Sequence, residues 1–318
     1  MKSGQMRNWL SKTKRIVVGT RASQLALVQT RLFVRDLQQI HPGLEIVIEK
    51  ITTKGDRDQK ASLTQIGGQG IFVKELEEAL SAKTIDMAVH SLKDVPTVIS
   101  DGLELVAFAR RVDARDVLVS RSGKKLMELP EGAMIGTGSQ RRVVQLLACR
   151  PGLRVGEIRG NVDTRLRKTT DGDFDGVLLA AAAMIRLGWQ DRITEYLAPE
   201  SFLPAVSQGI LGIEIRVSDT EVAELVLPLN DQPTWQSGMA ERAFLCHLGG
   251  GCRSPIAAFG VVMGDRLVLD GMAASEDGTQ IIRDREDGLS DACEEIGKRL
   301  AERILGRGAS RFLKRDCA

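Results

Sequence analysis

From Arg15 to Ile215 short apolar runs alternate with amphipathic stretches, and this rhythm restricts the fold more than any other feature of the chain. Arg15–Gly19 reads as a buried strand and Gln24–Ile40 as a helix stopped by Pro42-Gly43. Glu45–Ile51 is the next strand. A loop containing Gly67-Gly68-Gln69-Gly70 leads into a helix over Ile71–Leu80, and Ile85–Val89 is again a strand. A second set places strands near Val117–Val119, Ala133–Ile135, Val155–Ile158 and Val177–Leu179, with helices over Gln140–Cys149 and Val162–Thr169. Such βαβ alternation implies a parallel sheet with helices on both faces. Leu211–Ile215 reads as a further strand that returns to the first sheet.

After about residue 230 the grammar changes. A helix over Trp235–Leu245 precedes strands over Ile256–Val262, Arg266–Ala274 and Gln280–Glu286. These are joined at Gly264-Asp265 and Asp277-Gly278, which are hairpin turn signals, so this part predicts an antiparallel meander closed by a helix over Asp291–Leu305. The fold class is therefore α/β: two doubly wound domains and a small α+β third domain. The boundaries expected are a basic extension over 1–14, a first domain over 15–109 with 206–229, a second over 110–205 and a third over 230–318.

At 318 residues the chain exceeds what a single core supports. Its 44 basic and 42 acidic residues nearly balance, which argues against a general nucleic-acid binder. No apolar run approaches the roughly 20 residues of a membrane span. Five widely spaced cysteines without a signal-type leader point to a reducing, cytoplasmic setting and against a disulfide framework.

Ligands of open α/β sheets bind at the carboxyl ends of strands, and here those ends repeatedly deliver arginine. Arg21 follows the first strand, and Arg141 and Arg142 open a helix after Gly136-Thr137-Gly138-Ser139. Arg159 ends another strand, Arg165 lies further along the next helix, and Arg186 falls just past Val177–Ala183. Arginine suits bidentate recognition of carboxylate or phosphate, and a helix N-terminus adds N–H groups to the same task. A polyanionic ligand follows from the recurrence. The dinucleotide fingerprint fails, because Arg141 stands at its sixth position, and no phosphate-loop pattern occurs.

His90-Ser91-Leu92-Lys93-Asp94-Val95-Pro96 ends another strand. Neighbouring strand residues face opposite sides, so His90 and Ser91 do not make a nucleophilic pair; Asp94 is the better candidate to move protons or balance a cation. Cys252 follows three glycines in Gly249-Gly250-Gly251-Cys252-Arg253, where the backbone is free to move and the arginine favours the thiolate. Cys246, His247 and Cys252 lack a second ligand pair, so no metal is expected.

Together these segments resemble the porphobilinogen deaminase family (hydroxymethylbilane synthases). The likeness runs from about Arg15 to Gly306 through TRASQLA (Thr20–Ala26), TTKGD (Thr52–Asp56), GGQGIFVKELE (Gly67–Glu77), AVHSLKDVP (Ala88–Pro96), GTGSQRR (Gly136–Arg142), IRGNVDTRL (Ile158–Leu166), PAVSQG (Pro204–Gly209) and GGGCRSP. The resemblance implies two domains like type-II periplasmic binding proteins plus a third. It implies condensation of four porphobilinogen molecules into hydroxymethylbilane with loss of ammonia, on a dipyrromethane cofactor held by a thioether to Cys252. It assigns Asp94 as the catalytic carboxylate. Lys93, Asp94, Thr137, Ser139, Arg141 and Arg142 match cofactor-binding positions, and Arg21, Ser23, Arg159, Arg165, Arg186 and Gln208 match substrate-binding ones. Gln69 and Phe72 fall in its active-site loop. A cytoplasmic monomer that binds neither nucleic acid nor membrane is expected. Departures are Gln69 where many members carry lysine, Ser207 for glycine in PAVGQG, and Ser139-Gln140 in the usual SSLRR.

Overall fold

The computed structural model describes residues 15–53, 73–250 and 254–313. The first sheet contains β1 (Arg15–Arg21), β2 (Glu45–Ile51), β3 (Met87–Ser91), β4 (Leu103–Ala109) and β10 (Leu211–Arg216), in the order β2-β1-β3-β10-β4. The second contains β5 (Asp116–Ser120), β6 (Met134–Gly136), β7 (Arg154–Gly156), β8 (Gly176–Ala180) and β9 (Glu195–Tyr196), in the order β7-β6-β8-β5-β9. Neither sheet is wholly parallel, which corrects the expectation from alternation alone. β10 runs antiparallel to β3 and β4, and β5 runs antiparallel to β8 and β9. Both exceptions arise where the chain crosses from one sheet to the other, after β4 and before β10, so each arriving strand enters from the far side.

Helices cover the sheets as their apolar stripes require. In α1 (Gln24–Ile40) Ala26, Phe33, Val34 and Leu37 are buried, and the Ser23 hydroxyl caps its start by accepting the Ala26 N–H at 3.3 Å. α2 (Lys74–Ser81) buries Leu76 and Leu80; it begins later than expected, and Ile71 and Phe72 lie outside the described residues. α3 (Gln140–Cys149) and α4 (Val162–Thr170) follow β6 and β7. β4, β9, α5 (Ala181–Arg186) and α6 (Thr220–Val226) were not anticipated.

The C-terminal part is α7 (Gln232–His247), the meander β11 (Ile256–Met263), β12 (Arg266–Ala274) and β13 (Ile281–Leu289), and α8 (Cys293–Gly306). Its core of Ala240, Phe244, Leu267, Leu269, Ile296, Leu300 and Ile304 lies between the helices and the sheet. This part is fastened to both crossing segments by one buried carboxylate. Glu241 on α7 accepts from Arg111 at 2.6 and 3.2 Å, from the Ser207 N–H at 2.6 Å and from the Gly260 N–H at 2.8 Å. Every bond is charge-assisted, so the junction of the three sheets is tightly defined.

Candidate functional site

The carboxyl ends of β1 and β3 face those of β6 and β8 across a cleft lined in part by Gln29, Ser91, Lys93, Ala183, Arg186 and Gln208. Lys93 and Asp94 sit in a single 3₁₀ turn, Leu92–Asp94, that follows β3 directly. Arg21, the last residue of β1, brings its guanidinium within 3.9 Å of the Asp94 carboxylate. His90 and Ser91 are separated as alternation requires: the buried His90 pairs with Glu214 at 2.9 Å, while the Ser91 hydroxyl donates to Gln29 at 3.0 Å. The turn is also held from behind. Arg242 on α7 donates to the carbonyls of Val95, Pro96 and Thr97 at 3.1, 2.5 and 3.3 Å.

The opposite wall supplies the other cations. Arg141 and Arg142 converge on Asp116, a fully buried carboxylate at the start of β5. Arg165 donates from Nε to the Gly160 carbonyl at 2.8 Å, and Arg186 donates to the Gly209 carbonyl at 2.9 Å. Arg159 pairs with Glu157 on its own strand exit, Nε to Oε1 at 2.7 Å. Thr137 is buried and its hydroxyl accepts the Ser139 N–H at 3.2 Å; Ser139 itself stands at the N-cap of α3 and makes no side-chain capping bond there. Gln208 is engaged within the protein rather than turned to solvent. It accepts from Lys93 at 3.2 Å and donates to the Ala114 carbonyl at 2.8 Å and to Asp116 at 2.9 Å. It therefore bridges the two walls.

Burial leaves this collection short of negative charge. Desolvation lowers Lys93 to about 8, opposed by the nearby Asp94 carboxylate and reinforced by Arg142. Desolvation, with the like charges of Arg142 and Arg159, lowers Arg165 to about 10; desolvation alone does the same to Arg186. At neutral pH all three still carry their protons, at a cost that an anion in the cleft would offset. Among the described residues the carboxylates that act on this group are Asp94, which is partly exposed beside Arg21, and Asp116, which is sealed. A ligand with several carboxylates fits such a wall, and Asp94 among cations is placed to meet a positive centre on that ligand.

The structure thus brings together Arg21, Lys93, Asp94, Arg142 and Arg165, with Arg141, Arg186 and Gln208 in the same walls. Cys252, Arg253, Gln69 and Phe72 lie outside the described residues. Asp116, Glu241 and Arg242 were not singled out from sequence, and no local pattern marks them. Among the described residues no three His, Cys, Asp or Glu side chains gather as metal ligands would, and no helix is long and apolar enough to cross a membrane.

Comparison with known proteins matches residues 16–224 to the family described as "Porphobilinogen deaminase, dipyromethane cofactor binding domain" and residues 235–306 to "Porphobilinogen deaminase, C-terminal domain". A relative from Syntrophobacter fumaroxidans named porphobilinogen deaminase is 44% identical over 95% of this chain and 98% of its own length. One of the same name from Carboxydothermus hydrogenoformans is 47% identical over 95% and 97%. Solved structures that align include the BvgS periplasmic VFT2 domain of Bordetella pertussis, at a TM-score of 0.41 and 16% identity over 71% of this chain and 90% of that one. The LysR-family regulator CbnR aligns at 0.42 and 13% over 69% and 71%.

Proposed function

The chain belongs to the porphobilinogen deaminase family, and on that premise we propose that Asp94 is its catalytic carboxylate, Cys252 its cofactor anchor and the clustered cations its carboxylate receptor. The protein is a transferase of tetrapyrrole biosynthesis. It condenses four porphobilinogen molecules into linear hydroxymethylbilane with release of ammonia, building on a covalent dipyrromethane cofactor.

The residues present suit that cofactor, whose pyrroles carry acetate and propionate side chains. Lys93, Arg141 and Arg142 would hold these carboxylates, with Thr137 and Ser139 as neutral partners, because desolvated cations gain most from an anion beside them. When bound, the dipyrrole supplies the carbon on which the chain is built. Arg21, Ser23, Arg159, Arg165 and Arg186 would receive the carboxylates that each further porphobilinogen brings. Gln208 would act by holding Lys93 toward the cleft.

Asp94 performs the charge chemistry. Porphobilinogen enters with a protonated aminomethyl group, which pairs with a carboxylate. As the C–N bond breaks, the electron pair leaves with ammonia and a cation remains on the substrate. A fixed carboxylate beside it lowers the barrier by balancing that charge and by holding the pyrrole N–H. Arg21 at 3.9 Å and the carbonyl grip of Arg242 keep the turn in place.

Of the three thiols among the described residues, burial raises Cys149 and Cys293, which makes those two poor nucleophiles, while Cys246 lies exposed on α7. Cys252, on its glycine run beside Arg253, has the better setting. We take the three-part division by residues 15–109 with 206–229, 110–205 and 230–318 to hold, since each sheet has its own core. We also take the enzyme to work as a cytoplasmic monomer without nucleic acid, which its free thiols and near-balanced charge suit.

The observation that carries this reading is the partly exposed Asp94 carboxylate beside Arg21 and among the desolvated cations Lys93 and Arg165. Asp94→Asn keeps size while removing charge and acidity. Its turnover of porphobilinogen should fall about 10²–10⁴-fold, while intact mass still shows the dipyrrole when the protein is loaded with hydroxymethylbilane. Cys252→Ser should show bare polypeptide mass. Near-normal turnover in a loaded Asp94→Asn protein would assign the chemistry elsewhere.

A further inference from the structure

We propose that Asp116 is a positioning residue: a buried counter-charge that forces Arg141 and Arg142 to point the same way and so presets a paired receptor for the cofactor's carboxylates. This rests on reading the two arginines as cofactor-binding.

Arg141 and Arg142 are consecutive in α3, and consecutive helical side chains diverge by about 100°. Two guanidiniums also repel, most strongly away from water. Their convergence therefore requires a cause, and one carboxylate provides it. Asp116 Oδ2 accepts from Arg141 at 2.6 Å. Its Oδ1 accepts from Arg142 Nε at 3.1 Å and Nη2 at 2.7 Å, and from Gln208 at 2.9 Å. Carbonyls hold both guanidiniums further: Leu203 accepts at 2.7 Å from the same Arg141 Nη1 that meets Asp116, and Leu178 accepts at 2.8 Å from Arg142 Nη1, on the side away from Asp116.

Asp116 is 0% exposed, so it reaches the ligand through the arginines and does not touch it. Burial would raise its carboxyl, but the two guanidinium charges and their hydrogen bonds hold it well below the usual carboxylate range. It is ionised wherever the protein is folded near neutral pH. Two positive charges against one negative leave the pair with a surplus charge for a ligand carboxylate. Through Gln208, which also accepts from Lys93, the same carboxylate aligns a third cation from the opposite wall. The lining of the cleft is thus pre-ordered before any ligand arrives, which lowers the ordering cost of binding.

The test compares Asp116→Asn with wild type, each made in cells that lack porphobilinogen and each then loaded with hydroxymethylbilane. If Asp116 is a counter-charge, the ligand's own carboxylates partly replace it. The Tm gain on loading should then exceed that of wild type by roughly 3 °C or more, and dipyrrole capture followed by intact mass should slow at least about 10-fold. Adding Arg142→Gln to Asp116→Asn removes one of the two like charges, so the double variant should melt above Asp116→Asn in the dipyrrole-free form. Equal Tm losses in the free and loaded forms, with no recovery in the double variant, would make Asp116 an ordinary core carboxylate. If Asp116→Asn does not fold, Asp116→Glu keeps the charge and displaces it; normal capture by that variant would overturn the positioning role. Arg142→Gln alone tests the underlying assignment separately: unchanged capture there would remove Arg142 from the receptor, whereas the counter-charge is judged by the melting of dipyrrole-free protein.

Discussion

Replacing Ser207 with glycine should stabilise this protein. The residue lies in the segment that crosses back into β10, in a turn closed by the Gln208 N–H on the Ala205 carbonyl at 2.9 Å. Its φ is +60°, the left-handed region, at the turn position where glycine is preferred. A side chain there costs roughly 1 kcal/mol. The Ser207 hydroxyl is also buried without a hydrogen-bond partner among the described residues, which costs a further 1–2 kcal/mol or so. Against this, glycine gives the unfolded chain about 0.7 kcal/mol more backbone freedom. The net is a gain of about 1–2 kcal/mol, and a Tm higher by roughly 2–4 °C for a chain of this size. The Ser207 N–H bond to Glu241 at 2.6 Å survives the change. Calorimetry on loaded wild type, Ser207→Gly and Ser207→Ala separates the two contributions. Alanine removes only the hydroxyl and should recover most of the gain, leaving about 0.3 kcal/mol for the relief of strain net of the added backbone freedom. A glycine variant that melts no higher than the alanine variant would refute the argument from backbone strain.

Gly209→Ala should do the opposite: its φ is +92°, and an added Cβ would lie 2.3 Å from the Val112 carbonyl on the other crossing segment. A loss of more than about 2 kcal/mol in denaturant unfolding is expected, and a loss below about 0.5 kcal/mol would mean that the two crossing segments separate freely. Lys93 gives a pH signature. Its folded value of about 8 lies below its unfolded value of 10.5, so the folded state binds fewer protons between them and gains stability as pH rises through that window. In dipyrrole-free protein Lys93→Met should therefore raise Tm most below pH 8, and the advantage should shrink toward pH 10; a constant difference would show that the ammonium is not desolvated.

Periodicity exposed most of the framework, and its failures have physical reasons. Gly176–Ala180 and Ala181–Arg186 form one unbroken apolar run, so the change from strand to helix leaves no mark in hydrophobicity. In β10 every residue is buried, Glu214 and Arg216 included. Those charges look like a solvent face in sequence, but Glu214 meets His90 and Arg216 donates to the Leu80 and Ile85 carbonyls at 2.6 and 2.7 Å. The antiparallel direction of β10 follows from where the crossing segments enter the sheet, a property of the whole topology that no window of residues contains.

The site divides along the same line. Arg21, Asp94, Arg141 and Arg159 could be found because a ligand at strand ends is met by the loops and helix starts that follow strands, and that is a local pattern, whereas Lys93 came with the family resemblance. Asp116, Glu241 and Arg242 could not, because each acts on partners far away in the chain: Arg141 and Arg142 for the first, Arg111, Ser207 and Gly260 for the second, the Val95–Thr97 carbonyls for the third. The residues that would touch a ligand are thus legible, and those that aim them are not. This has an energetic basis. A cation facing the cleft keeps some hydration and shifts modestly when its surroundings change, whereas a sealed carboxylate serving several donors leaves each of them unsatisfied if it is lost. Substitutions at Asp116 or Glu241 should accordingly cost more stability than those at Arg21 or Arg159, although the latter are the ones proposed to meet substrate.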